Sequence, residues 1–284
     1  MTEMRSENTK VIWRLVLFFI FYLVFRLIVE TMFQVTVYTL APSLGQPIMD
    51  FFLFEGPNTE LRVTGDGQIL ISGLAFLISG LMIRAKAFEY DKKYTPVTAD
   101  KRKLTPAFVA LTILGGVGLA LALNILILKS GMAQISQEYE ETAAAQYSCS
   151  FPVGVLVYGF LSPFSEELMF RGILFNGFKK LYPMKYAMIL TAALFALYHG
   201  NGVQGIFAFV LSVFIIYTYE NTGLLWVAIA IHSICNLSSY IMTYVSEGFS
   251  SNTMWIICGI SAAASALSVY LLYFHKTDER KDSK

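Results

Sequence analysis

The chain has 284 residues, of which 56% are hydrophobic and only 14% charged, with a formal net charge of +1. Soluble domains carry about 25% charged residues. A chain this apolar and this near neutrality is neither disordered, nor a disulfide scaffold, nor a nucleic-acid binder, because no basic face is long enough to track phosphates. It reads as an integral membrane protein.

A helix of about 20 residues crosses the hydrocarbon core of a bilayer. In chain order, apolar runs lie at about 11–38, 67–88, 104–128, 148–170, 185–199, 203–220, 223–243 and 250–274, which predicts an all-α polytopic transmembrane bundle of about eight spans. Positive residues precede the first run, as in a signal peptide. No small-residue cleavage pattern follows it, and the run continues through Arg26 and Glu30, so it reads as an uncleaved anchor. Arg26 and Glu30 are four apart and are predicted to pair on one helix face. Between the first two runs, residues 61–71 around Asp66-Gly67 resemble a hairpin turn, although the second half overlaps the start of the next span. Gly115, Gly116 and Gly118 in the third run allow close helix packing.

Runs four to eight are joined by very short turns, whereas the first three are separated by longer loops. The predicted organisation is therefore residues 1–147 with three spans, a compact bundle at 148–275, and a charged tail at 276–284. Of the 21 Lys and Arg, all but Arg26, Arg62 and Lys129 fall at the N-terminus and first-span start, in 84–103, in 171–185 or in the tail. Positive loops stay cytoplasmic, so both termini are predicted cytoplasmic, and the acidic loops 41–66 and 129–147 face the other side. Cys149, Cys235 and Cys258 show no CxxC spacing and read as small buried hydrophobes rather than a disulfide framework or zinc-thiolate site.

Two adjacent carboxylates, Glu166 and Glu167, stand inside the otherwise apolar fourth run. A charge at mid-membrane costs at least about 2.5–3.5 kcal/mol on insertion scales. Consecutive helical residues point about 100° apart, while Glu167 and Arg171 share a face. The spacing predicts a division of labour in which Glu167 pairs with Arg171 and Glu166 faces the bundle interior. The bland alternative is that both glutamates merely bond neighbouring helices. His275, at the end of the last run, reads as interfacial. His199 ends the fifth run and His232 lies in the seventh with Asn236 one turn on; each histidine alone could be a packing hydrogen bond or a site. Depth separates these readings, because Glu166 and His199 are nearly equidistant from the turn at Tyr182-Pro183 and are expected to meet. Glu, His, His and Asn then share one level. Such a set in a dry cavity suits activation of water and stabilisation of an oxyanion. No nucleophile-elbow serine or cysteine competes, and the HExxH zinc pattern is absent.

Three ordered motifs carry a resemblance: Glu166-Glu167-Leu168-Met169-Phe170-Arg171, Phe195-Ala196-Leu197-Tyr198-His199 and His232-Ser233-Ile234-Cys235-Asn236. Together they resemble the type 2 CAAX prenyl protease family, the group that also covers lysostaphin-resistance-like and bacteriocin-processing membrane proteins. The resemblance covers about the last half of the chain. It implies an eight-helix intramembrane endopeptidase in which Glu166 is the catalytic base, His199 helps orient and activate water, His232 and Asn236 stabilise the oxyanion, and Glu167 and Arg171 brace the site. It favours chemistry without a cofactor, with zinc held by Glu166, His199 and His232 as the alternative. The implied substrate is a membrane-embedded or lipidated peptide or protein, and the implied setting is the plasma membrane of a bacterium. The competing readings are a non-catalytic immunity or scaffold protein of the same fold, and a proton-coupled transporter using Glu166 and the histidines as a relay. The site is expected to open to the cytoplasmic, basic side of the membrane.

Overall fold

The computed structural model of the protein describes residues 2–95 and 104–281, with side chains over 8–95 and 104–272. His275 lies outside the residues whose side chains are described. In chain order the elements are α1 (Thr2–Leu40), α2 (Gln46–Phe52), a hairpin of β1 (Leu53–Glu55) and β2 (Leu61–Val63), α3 (Gly65–Tyr94), α4 (Pro106–Lys129), α5 (Gln137–Gln146), α6 (Phe151–Lys179), α7 (Met184–Tyr198), α8 (Gly202–Thr222), α9 (Leu225–Ser246) and α10 (Ser251–Lys281). The protein is an integral membrane helix bundle.

Among the described residues, seven helices are long and apolar enough to cross a membrane. The remaining expected span, 185–199, is α7 with 15 residues, about 22 Å of helix and short of the roughly 30 Å hydrocarbon core. Punctuation explains its length. Pro183 precedes its first turn, and Gly200, at φ 76°, takes the left-handed conformation that ends helices.

The hairpin does not turn at Asp66-Gly67. Its strands are antiparallel, Leu53 facing Val63 and Glu55 facing Leu61. Asp66 and Gly67 instead lie in the first turn of α3, where the Thr64 hydroxyl accepts from the Gly67 N–H at 2.9 Å and Asp66 sits favourably at the positive helix end. Ser136 likewise caps α5, a helix carrying Glu138 and Glu140 in its first turn. The expected close packing on α4 is realised at Gly118, where a Cβ would lie 2.6 Å from the Ser261 carbonyl oxygen of α10.

Helix α6 runs through the centre, against α3, α7 and α9. It is continuous but not uniform. It widens into π-helical turns at Val157–Leu161 and Leu168–Phe175, with α-helical geometry between them at Ser162–Glu167. Every side chain of the second π segment is buried, Arg171 included. π turns are rare and gather at functional sites; here they bracket the two glutamates.

Candidate active site

Glu167 and Arg171 are both fully buried, and their side chains meet at 2.6 Å. The guanidinium also donates to the Ser212 hydroxyl of α8 at 2.9 Å and lies 4.8 Å from the centre of the Phe195 ring. The Glu167 Oε1 atom that receives Arg171 also receives Nδ1 of His232, again at 2.6 Å. One carboxylate thus holds an arginine from its own helix and a histidine from α9.

Glu166 points the other way. Its Oε1 accepts from the Ser162 hydroxyl, one turn earlier, at 2.7 Å, and its Oε2 lies 3.8 Å from Nε2 of His232. His232 therefore sits between the two carboxylates. Its ring donates from both nitrogens only when protonated; a neutral ring that donates from Nδ1 leaves Nε2 as an acceptor.

The turn between α7 and α8 places His199. It caps α7, Gly200 reverses the chain, and the Asn201 side chain starts α8 by accepting from the Gln204 N–H at 2.8 Å. His199 Nδ1 lies 2.8 Å from the Phe195 carbonyl. A carbonyl only accepts, so Nδ1 carries the proton and the neutral ring presents Nε2 as an acceptor. The Phe195 ring stands edge-on to both imidazoles, at centroid distances of 4.8 and 5.7 Å.

Glu166, His199 and Asn236 border one cavity of about 320 Å³, together with Arg26, Ser162, Tyr158 and Tyr198. Asn236 donates to the Tyr158 carbonyl at 3.2 Å. His232 is not in the wall; it lies behind Glu166. The expected meeting of Glu166 and His199 is thus a shared cavity wall. Tyr139, Thr142 and Gln146 of α5 border the cavity, and Gln146 accepts from Gln204 at 2.9 Å. Among the described residues, none from the basic stretches 84–95 and 171–185 lines it. The cavity thus extends to α5, while Arg171 and its neighbours in α6 are buried.

Residues 148–238 match the model of the Type II CAAX prenyl endopeptidase Rce1-like family. That stretch is a domain of the CAAX endopeptidase family. No curated protein and no solved structure matches the chain. The CAAX endopeptidase domain contains all six residues expected from the sequence, Glu166, Glu167, Arg171, His199, His232 and Asn236, whereas Arg26 and α5 lie outside it.

Within the CAAX endopeptidase domain, Ser162 and Phe195 were given no role by the sequence reading. Ser162 is findable from its spacing, one turn before Glu166. Phe195 belongs to the quoted motif, but only the fold shows its carbonyl fixing one histidine and its ring wedged against both. Ser212 and Tyr158 carry no such signal, because their partners come from other parts of the bundle. Both imidazoles have the outer-nitrogen partner that a metal-bound histidine has. Yet Glu166, His199 and His232 do not converge: among the described residues, no group of three His, Cys, Asp or Glu is placed to hold a metal ion.

Proposed function

We propose that the protein is an intramembrane endopeptidase that hydrolyses a peptide bond of a membrane-embedded or lipidated substrate with water activated by Glu166. The observation that supports this reading most is that Glu166, His199 and Asn236, from three different helix segments, border one cavity inside a membrane bundle. Such polar groups are costly there unless used.

In this reading water lies between Glu166 and His199, with His199 Nε2 accepting one of its hydrogens and Glu166 taking the other as proton. The water oxygen adds to the scissile carbonyl carbon. The resulting oxyanion accepts from the second N–H of the Asn236 amide, the first being held by Tyr158. His232, held between the two carboxylates, lies beneath the site. Collapse of the tetrahedral intermediate breaks the C–N bond, and Glu166 returns its proton to the leaving amine. The products are a carboxylic acid and an amine, the acid passing its remaining proton to the amine to give carboxylate and ammonium, and the base is regenerated. Glu167 and Arg171 hold His232 and α6 in register. Substrate enters from the face that carries α5. If the basic face is cytoplasmic, that is the outer face, which fits exported peptides better than cytoplasmic tails.

The test is cleavage of an N-acylated peptide by purified protein in lipid vesicles, run in ¹⁸O-labelled water and read by mass spectrometry. One label in the new carboxylate, with activity surviving exhaustive dialysis against a chelator, is expected. Stoichiometric metal lost together with activity would reassign His199 and His232 as ligands. Absence of any cleavage would favour the non-catalytic immunity or scaffold reading.

A further inference from the structure

One wall of the cavity is held more lightly than the rest. Tyr139, Thr142 and Gln146 of α5 border it, and their spacing puts them on one face of that ten-residue helix. Glu138, Glu140 and Glu141 lie exposed around the rest of its surface. None of the ten residues is buried, whereas every other helix bordering the cavity has buried side chains among its described residues. What holds α5 is mostly polar. Gln204 of α8 donates to the Gln146 side chain at 2.9 Å, and the Tyr158 hydroxyl of α6 donates to the Gln146 carbonyl at 3.3 Å. Tyr139, near the other end, rests on the small apolar cluster of Ile127, Ala133 and Val203.

Helices in proteins owe most of their stability to a buried apolar face, and a helix of this length is marginal without one. Segments with little buried apolar contact open at low free-energy cost, and active-site lids are drawn from them. The two ends of α5 differ. Tyr147, the residue that follows it, stacks on Tyr240 with ring centroids 5.6 Å apart and pairs with the Thr243 hydroxyl at 3.0 Å. That end is fixed. The other end joins α4 through residues 130–136, where Gly131 takes φ 82° with nothing packed where a side chain would stand. Hinges are a few residues of this kind at loops and element ends.

We propose that α5 is a lid that swings about Tyr147 to admit the polypeptide substrate to Glu166 and closes over it again. The inference rests on the peptidase reading above and adds the route to that site. A cavity of about 320 Å³ is at the small end of the roughly 300–1,000 Å³ of pockets that enclose small ligands. An endopeptidase substrate runs on past the scissile bond in both directions, so a wall has to give way. Opening at α5 lifts one tyrosine from its cluster and turns Gln146 away from Gln204; opening at any other wall unpacks buried side chains. The lid belongs to this chain's own first half, outside the matched residues 148–238.

The experiment locks the lid and follows binding. The full-length protein carries Tyr139→Cys and Val203→Cys, which join the free end of α5 to α8, with Cys258→Ala because the other two native cysteines are buried. Glu166→Gln prevents turnover. In lipid nanodiscs the pair is bridged with a bifunctional methanethiosulfonate, or modified without bridging by the monofunctional reagent, mass spectrometry confirming each. The association rate of a fluorescent, N-acylated, alanine-rich peptide is then measured. Bridging should slow association on the order of tenfold or more relative to the monofunctional control, since a required conformational change limits the rate, and reductant should restore it. Gln204→Ala, in a protein without the cysteine pair, removes one hydrogen bond from the closed lid and should speed association about two- to tenfold. Equal rates for bridged and unbridged protein, slowing that survives reductant, no acceleration by Gln204→Ala, or no binding of the peptide by the unbridged protein would overturn the proposal. Should the cysteine pair fail to fold, Gln204→Ala decides, an unchanged or slower rate counting against the lid. Because the readout is binding, gated association with a negative ¹⁸O assay would retain the lid and reject the hydrolytic reading, and ungated association with a positive assay would do the reverse.

Discussion

Glu167 and Arg171 in α6, and Arg26 and Glu30 in α1, have the same spacing along a helix but different surroundings. The first pair is closed at 2.6 Å with neither side chain exposed; the second stands 3.7 Å apart with side chains 26% and 17% exposed. The closed pair is completed by His232 and Ser212 from two other helices. The open pair leaves a buried Arg26 donor unmatched at the edge of a cavity. The i, i+4 rule therefore states that two charges can meet and leaves their use to the packing around them. A pair fully buried and gripped by two further helices braces a fold, and one at the edge of a cavity can turn its donors to a ligand.

The contrast is sharpest at Glu167. Glu167→Ala removes the partner of a fully buried arginine and of His232 at once, and breaking a buried pair costs about 3–5 kcal/mol. Folded yield in detergent should fall, and thermal unfolding should shift steeply downward. A variant as stable as the parent would show that the pair is not a brace. Ser212→Ala leaves the Arg171 terminal nitrogen with only the Ser212 carbonyl at 3.4 Å, which should cost about 1–3 kcal/mol in the same melt. Glu30→Gln keeps an acceptor for Ser72 and Gln68 while removing the charge facing Arg26. Its effect on the melt should stay below about 1 kcal/mol, the range of loose, partly exposed ion pairs. A loss as large as that of Glu167→Ala would erase the distinction between the two pairs.

Much of this was legible in the sequence because it depends on local composition and spacing. The apolar runs gave the bundle, and the four-residue interval gave both Arg–Glu pairs. Equal distances from the Tyr182-Pro183 turn brought Glu166 and His199 to one cavity. What escaped depends on packing between distant segments. The π turns flanking Ser162–Glu167 have no sequence signature and are sustained by the helices around α6. His232 lies between Glu166 and Glu167, rather than beside Asn236 in the cavity wall, because α9 approaches α6 on the face that only the folded bundle defines. The border that α5 gives the cavity was not legible either, because the basic residues near Arg171 bear on where a loop lies relative to the membrane and not on which segments wall the cavity. The hairpin was misplaced because Asp66-Gly67 suits a tight turn and a helix start equally, and Thr64 tips it to the helix.

The most direct test of the central claim is the cleavage rate of Glu166→Gln beside that of the parent, on the same acylated peptide and with thermal unfolding recorded for both. General-base assistance contributes about 10²–10⁴-fold. The rate should fall by that order while the unfolding temperature stays near that of the parent, since the Ser162 hydroxyl can still donate to an amide oxygen. Cleavage at the parental rate by a folded Glu166→Gln protein would contradict the assignment of Glu166 as the base.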